Sequence, residues 1–389
     1  MKKKPLRSEN IREANEKLVL SLIHKTSGIS QSEVVLQTGL KPPTVFRIFS
    51  MLEEAGFIQV SHDQPFDSDK KGRRPVYYSI NPKSMYVIGI DFWSRSAAIV
   101  LEDFGGNAIY QHTRPLVAKP NAEDTLDVIG ELIESSLAAT RVNRDRILGI
   151  GIGAPGQVDI DEGRVIFYSR IEGMKDFALG ARIEQKFDIP VTVHNNAAVI
   201  ALSGFRYGIA HDSSSLLTIL IRSGVGGSFI HEKKLMVTNG ATILELGRIS
   251  VELSGENCEC SGKGCLEAYL SEDAFLDAIQ PLYPLKDISE LDSLMVDEIP
   301  APILEVIRSK GKILSQTMRS LYHLFGPKSF LIVTRSQILS KLLSKFVDEI
   351  ITKDQLICPG PRFTILSTKY DPTLACRGAA DLVLDQFFS

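Results

Sequence analysis

Long apolar runs are missing from this chain: nowhere does it sustain the roughly 18 residues that a membrane-crossing helix needs. Its basic start, MKKKPLRSEN, has no apolar segment directly behind it, so a secretory signal is excluded and a cytoplasmic protein is expected. Cysteine is scarce, five in 389 residues, and three of the five fall within eight positions. That distribution argues against a disulfide framework and for a reduced compartment with a metal. Net charge is also nearly absent, at −3. What is present in quantity is ordinary core material, 44% hydrophobic residues, enough for two or three domains with no membrane partner.

The small net charge hides an asymmetry. Residues 1–83 carry 14 Lys and Arg against 9 Asp and Glu, or +5, and the remainder carries 30 against 38, or −8. A basic head on an acidic body suggests a polyanionic partner for the head. Its local patterns agree. Residues 11–24 hold an apolar stripe at helical spacing. Ser30 with Glu33 three positions on forms a capping box for a short helix that Gly39 ends. A third helix starts near Pro43, turns Val45, Ile48, Phe49 and Leu52 inward, and leaves Thr44, Arg47 and Ser50 facing out. Strands at 57–60 and 76–80 follow, around a polar loop with Lys70, Lys71, Arg73 and Arg74. This is the plan of a winged helix-turn-helix, and its partner is a double-stranded DNA operator. Arginine on an extended, proline-limited strand can enter a narrow A·T-rich minor groove. Thr44, Arg47, Ser50, Lys71, Arg73 and Arg74 are the DNA-binding candidates.

The rest reads as α/β. Buried strands are expected at 85–91, 97–101, 147–158, 189–193, 216–221 and 330–333. Helices are expected at 125–139, 301–325 and 378–388. Residues 287–298 read as an acidic surface loop. Cys358 and Cys376 read as isolated, buried small side chains. The remaining thiols, Cys258, Cys260 and Cys265, sit among Gly255, Gly262 and Gly264, flanked by Glu245 and Glu267. Thiolates at this density suit a soft cation such as zinc, which normally takes four ligands, and the loop offers three sulfurs.

The segment 245–267 resembles the signature of the ROK family (repressors, open reading frames, sugar kinases), Glu-x-Gly-His followed by Cys-x-Cys-Gly-x-x-Gly-Cys-x-Glu. Glu245, Gly247, the three cysteines and Glu267 fall on it. Ser261 stands in place of its first loop glycine, and Arg248 in place of its zinc-ligating histidine. The Gly-Arg-Arg-Pro stretch at 72–75 resembles the arginine-rich wing of ROK repressors, and the similarity runs over nearly the whole chain. It implies a winged helix-turn-helix (1–83) followed by a two-lobed actin-like, sugar-kinase (ribonuclease H-like) fold. The first lobe would span 84–196 and recover a C-terminal helix at 376–389; the second, 197–375, would hold the cysteines.

The resemblance also identifies what has changed. Where ROK kinases end their first strand in Asp-x-Gly-Gly-Thr to grip ATP phosphate, this chain has Asp91 followed by Phe92, Trp93, Ser94 and Arg95. The kinase Asn-Asp-Ala reads Asn195-Asn196-Ala197, and a carboxamide cannot take the proton from an attacking hydroxyl. His194 lies on the opposite strand face from Asn195. Arg222 and Ser223 replace the first pair of a phosphate-contacting Gly-Thr-Gly-Ile-Gly-Gly turn, and Thr334-Arg335 replaces a Gly-Gly beside adenosine. No catalytic residue and no ATP are therefore expected, and the protein is not expected to be an enzyme. The sugar side persists in Asn195, Asn196, Glu245, Arg248 and Glu267. Two readings of Arg248 stay open: pairing with Glu245 or Glu267, or receiving an anionic ligand such as a sugar phosphate. The expectation is a sugar-responsive DNA-binding regulator of carbohydrate genes, a repressor, acting as a homodimer or tetramer with a sugar or sugar-phosphate effector, and with zinc on the three cysteines as the candidate cofactor. The alternatives are an active ROK sugar kinase and a DNA-binding regulator without ligand sensing.

Overall fold

The computed structural model describes residues 8–26, 28–61, 75–238, 241–242, 244–260, 262–295, 298–357 and 362–389. The head folds for local reasons. Helix α1 (Ser8–Lys25) buries Val19, Leu20 and Ile23. Strand β1 (Ile29–Ser30) leads into α2 (Gln31–Thr38), which starts on the reciprocal cap between Ser30 and Glu33 and stops at Gly39, φ 69°. Helix α3 (Pro42–Glu54) opens on two prolines, whose missing N–H groups a first turn does not need. It buries Val45, Ile48, Phe49 and Leu52. The wing strands β2 (Ile58–Val60) and β3 (Tyr77–Ile80) pair antiparallel, and β1 joins β3 on its other edge. Lys70, Lys71, Arg73 and Arg74, at the wing tip, lie outside the described residues, as do Ser261 and Cys358.

The first lobe runs β4 (Tyr86–Trp93), β5 (Ser96–Asp103), β6 (Ala108–Pro115), α4 (Ala122–Thr140) and β7 (Ile147–Ala154). A small ribbon of β8 (Gln157–Asp159), β9 (Arg164–Phe167) and β10 (Lys175–Phe177) follows, then α5 (Leu179–Phe187) and β11 (Val191–Asn195). The second lobe begins with α6 (Asn196–Arg206), β12 (Ser215–Ile221), β13 (Val225–His231), β14 (Lys234–Leu235) and a ribbon of β15 (Val237–Thr238) and β16 (Ala241–Thr242). It continues through α7 (Leu266–Leu270), α8 (Glu272–Ile279), α9 (Ala301–Phe325), β17 (Ser329–Thr334), α10 (Gln337–Ile357) and β18 (Thr364–Lys369). Helix α11 (Pro372–Phe388) closes the chain.

Both large sheets follow one plan, β11-β7-β4-β5-β6 in the first lobe and β14-β13-β12-β17-β18 in the second. In each the first strand is central, the next two run antiparallel on one side, and the last two run parallel on the other. Covered on both faces, the central strands read as near-continuous apolar runs. Each lobe has its own core.

Helix α11 returns to the first lobe, starting six residues earlier than its glycine suggested. It lies so close to the sheet that a Cβ on Gly89 or Gly151 would stand 1.8 or 1.9 Å from the carbonyl oxygen of Cys376 or Ala379. Its far end joins the head. Val19, Ile23 and Phe49 share one core with Val87, Phe104, Val383 and Leu384, and the His24 ring lies 5.2 Å from Phe104 and 5.1 Å from Phe388. The head is seated on the body, not merely tethered to it.

One expectation fails. Residues 287–295 are not simply a surface loop: a 3-10 turn at Ile288–Ser293 fully buries Ile288 and Leu291, while Glu290, Ser293 and Met295 remain exposed. Asp287 is neutralised by Arg95 and Arg335, and Asp292 by Lys369, all distant in sequence, while Glu290 and Glu298 stay exposed. Cys376 is buried as expected. Among the described residues no helix is long and apolar enough to cross a membrane.

Candidate functional site

An open cleft lies between the lobes, and Asn195, Asn196, Glu245, Arg248 and Glu267 all line it. Asn195 ends β11 and caps α6: its side-chain oxygen accepts from the Ala197 amide at 2.8 Å, and its amide nitrogen donates to the Gly156 carbonyl at 2.7 Å. It therefore ties the glycine-proline turn after β7 to the helix, with capacity for a ligand left on both atoms. Asn196 follows, buried at the cleft floor. His194 turns into the protein: Nδ1 accepts from the Asn195 amide at 2.8 Å, and burial lowers its pKa to about 4, so it stays neutral. It is unavailable as a base.

Glu267, in the first turn of α7, accepts from the Val225 amide at 3.2 Å. It gets this close because Gly247 has no side chain; a Cβ there would stand 2.9 Å from Glu267 Oε2. Glu245 opens to the cleft. Burial in the cleft wall raises its pKa, Arg248 opposes the rise, and the neighbouring Glu267 adds to it. Arg248 is committed inward, with Nη1 3.7 Å from Glu267 Oε1 and 3.6 Å from Cys258 Sγ.

The three sulfurs of Cys258, Cys260 and Cys265 lie within 4.8 Å of one another, a cluster able to hold a metal ion. The Gly262 backbone N–H, with help from the other thiols and Arg248, lowers the exposed Cys260 thiol to about 7, whereas burial pushes Cys265 up to about 12. The corner nearest Cys258 belongs to the Arg248 guanidinium, which has no lone pair to give. The donor set is thus one short of a structural zinc site, with a fixed cation beside it.

The other half of the cleft is filled with protein. Trp93, at the end of β4, is 3% exposed, and its ring nitrogen donates to Ser96 Oγ at 2.7 Å. Three guanidinium carbons surround its ring: Arg335 at 5.0 Å from the centroid, Arg222 at 5.2 Å and Arg95 at 5.5 Å. Each arginine has an acid. Arg222 meets Asp91 at 3.3 Å, and Tyr370 donates to the same carboxylate at 2.6 Å. Arg335 pairs with Glu272 and with Asp287 at 2.7 Å, and Arg95 pairs with Asp287 at 2.8 Å and Asp273 at 3.3 Å. Arg170 reaches Asp273 at 2.6 Å. Arg95 and Arg170 belong to the first lobe and their acids to the second, and Asp91 of the first lobe meets Arg222 of the second, so the network bolts the lobes together. Sequence reasoning marked Trp93, Arg222 and Arg335 only as departures. Their partners Glu272, Asp287 and Tyr370 carry no signal in the sequence.

In the head, α3 exposes Arg47 and Ser50 and half-buries Thr44. Arg47 lies 3.6 Å from Glu16 of α1. The α3 surface also carries an exposed phenylalanine, Phe46, that the outward-facing set omitted.

Comparison with known proteins fits this geometry. A family model described as "ROK family" matches residues 87–386, and one described as "Winged helix-turn-helix DNA-binding" matches residues 12–59. A xylose repressor of Caldicellulosiruptor bescii is 25% identical, covering 97% of this chain and 97% of its own. A solved ROK family transcriptional regulator, a homolog of the E. coli MLC protein, has a TM-score of 0.80 at 21% identity, over 97% of each chain. A ROK family glucokinase from Streptomyces griseus, solved with glucose and AMPPNP, has a TM-score of 0.64 at 22% identity, over 77% of this chain and 99% of its own.

Proposed function

Because this chain belongs to the ROK family and carries a winged helix-turn-helix head, we propose that its cleft senses an uncharged sugar, without phosphoryl transfer, to control a DNA-binding repressor. It is a sugar-responsive, DNA-binding transcriptional repressor. The observation that carries the mechanism is the fate of Asp91. Its carboxylate, at the head of the turn that would grip ATP phosphate in the kinases the chain resembles, is taken by Arg222 and Tyr370 under the Trp93 ring. Phosphoryl transfer needs a phosphate cradle and a residue to accept or orient the attacking hydroxyl. Here the cradle is occupied by arginine and indole, and Asn196 cannot take a proton. Loss of both functions supports a body that binds sugar and leaves it unchanged.

The charges in the cleft support the choice of ligand. Arg170, Arg222 and Arg248 are each spent on a carboxylate of the protein. Glu245 is the charge left open to the cleft. Carboxylates and an asparagine amide suit sugar hydroxyls, and an added phosphate would meet Glu245, while each arginine among the described lining residues is paired with a carboxylate. Asn195, Asn196, Glu245 and Glu267 are the proposed sugar contacts, with Arg248 holding Glu267 in place. Zinc on the cysteine loop would be held by Cys258, Cys260 and Cys265 alone, and would be exchangeable, not structural.

With one head per chain, two copies reading two half-sites is the inferred assembly, working in the cytoplasm. Thr44, Arg47, Ser50, Lys71, Arg73 and Arg74 are its proposed DNA contacts. Calorimetry with neutral pentoses and hexoses and with their phosphates tests the ligand. A neutral sugar is expected to bind, and Glu245→Gln to weaken it at least about tenfold. Binding of the phosphates alone would overturn the reading.

A further inference from the structure

Helix α3 leaves one large apolar side chain in solvent among its described residues: Phe46, 55% exposed, while Val45, Ile48, Phe49 and Leu52 are at most 4% exposed. The described residues of the head leave more than half of this ring uncovered. It lies in the N-terminal half of the helix, one residue before Arg47 and four before Ser50, both exposed. Which end of α3 meets DNA follows from charge. The C-terminal end exposes Glu53 and Glu54, which phosphates would repel, and the N-terminal end exposes Lys41 beside the positive end of the helix dipole. Docked that way, the exposed residues between 42 and 50 face the base edges.

Around the ring this surface offers few hydrogen-bonding groups: Pro42 and Pro43 have no N–H and Thr44 is half-buried, which leaves Arg47, 3.6 Å from Glu16, and Ser50. An apolar ring projecting into a major groove has one complementary feature to find there, the 5-methyl group of thymine. We propose that Phe46 is a specificity residue that reads thymine methyl groups in the operator, so that each half-site contains an A·T pair chosen by apolar contact. The proposal rests on the DNA-binding reading of the head and adds what the head reads.

The test uses the full-length chain. An operator is first selected from randomised duplex DNA at a stated salt concentration, which by itself establishes or refutes DNA binding. Each thymine in it is then replaced singly by uracil, a change that removes the methyl and keeps every hydrogen-bonding group. Wild type is expected to lose about fourfold in affinity at one position per half-site, the worth of one buried methyl. Phe46→Ala, whose exposed position leaves the melting temperature unchanged, is expected to bind thymine and uracil forms equally there. The proposal is overturned if no uracil substitution weakens wild type. It is equally overturned if Phe46→Ala still discriminates, or if that variant weakens binding to all DNA alike, as loss of a contact between protein copies would.

Discussion

Asp91 and Arg222 show how a phosphate-facing position becomes structural. Both side chains are almost wholly buried, so each depends on the other for its charge to be tolerated. Arg222→Met keeps the volume and removes the charge. It is predicted to cost about 3–5 kcal/mol in urea unfolding at pH 7, because Asp91 is left uncompensated. An unchanged midpoint would mean that the pair contributes nothing. His194 supplies a pH signature. Burial holds its folded-state pKa at about 4, below the ordinary 6.5. Between those values the unfolded chain binds a proton that the folded chain refuses, so stability falls as pH drops from 6.5 toward 4 and is flat above. The loss reaches about 3 kcal/mol at the acid end. His24, lowered mainly by its own burial between Phe104 and Phe388, steepens the same slope. Unfolding midpoints of wild type and His194→Gln across this range are expected to diverge in acid and converge at pH 7.

Among the elements, the cysteine loop is the one whose chemistry a single side chain decides. Arg248→His exchanges a repelling cation for a fourth ligand. It is predicted to tighten zinc at least about tenfold, read by competition with a chelating dye, and to make the melting temperature chelator-sensitive. In the natural chain, chelation is expected to leave the melting temperature where it is. The elements also differ in how far the sequence revealed them. The head was legible because its signals are local: the Ser30–Glu33 cap, the Gly39 stop and the apolar face of α3 lie within a turn or two of each other. Phe46 escaped notice because an apolar residue beside a buried valine reads as core until its direction is seen. The half of the cleft proposed for sugar was marked through the spacing of Glu245, Gly247 and Glu267, which the structure brings to one wall. The filled half was not, since Arg95 and Asp287, or Asp91 and Tyr370, are far apart in the chain and meet only across the lobes. For the same reason the acids at 287 and 292 looked like a solvated loop.

For the whole molecule, the path from cleft to DNA is a chain of packed elements. Helix α6 begins at the proposed sugar contacts Asn195 and Asn196 and packs along α11, and the end of α11 shares a core with the head. A sugar that favours one lobe angle can therefore shift the head only through its differential fit to the two angles. Under the proposed reading, with Trp93 and its arginines filling the other half of the cleft, ATP would have no part in that shift. The direct measurement is fluorescence anisotropy of the full-length chain on its own promoter DNA at fixed salt, titrated in turn with neutral sugars, the same sugars phosphorylated, and ATP. At least one neutral sugar is predicted to change the operator affinity, while its phosphate and ATP do not and ATP is not consumed. Operator binding indifferent to every sugar, or ATP consumed in the presence of a hexose, would contradict the account.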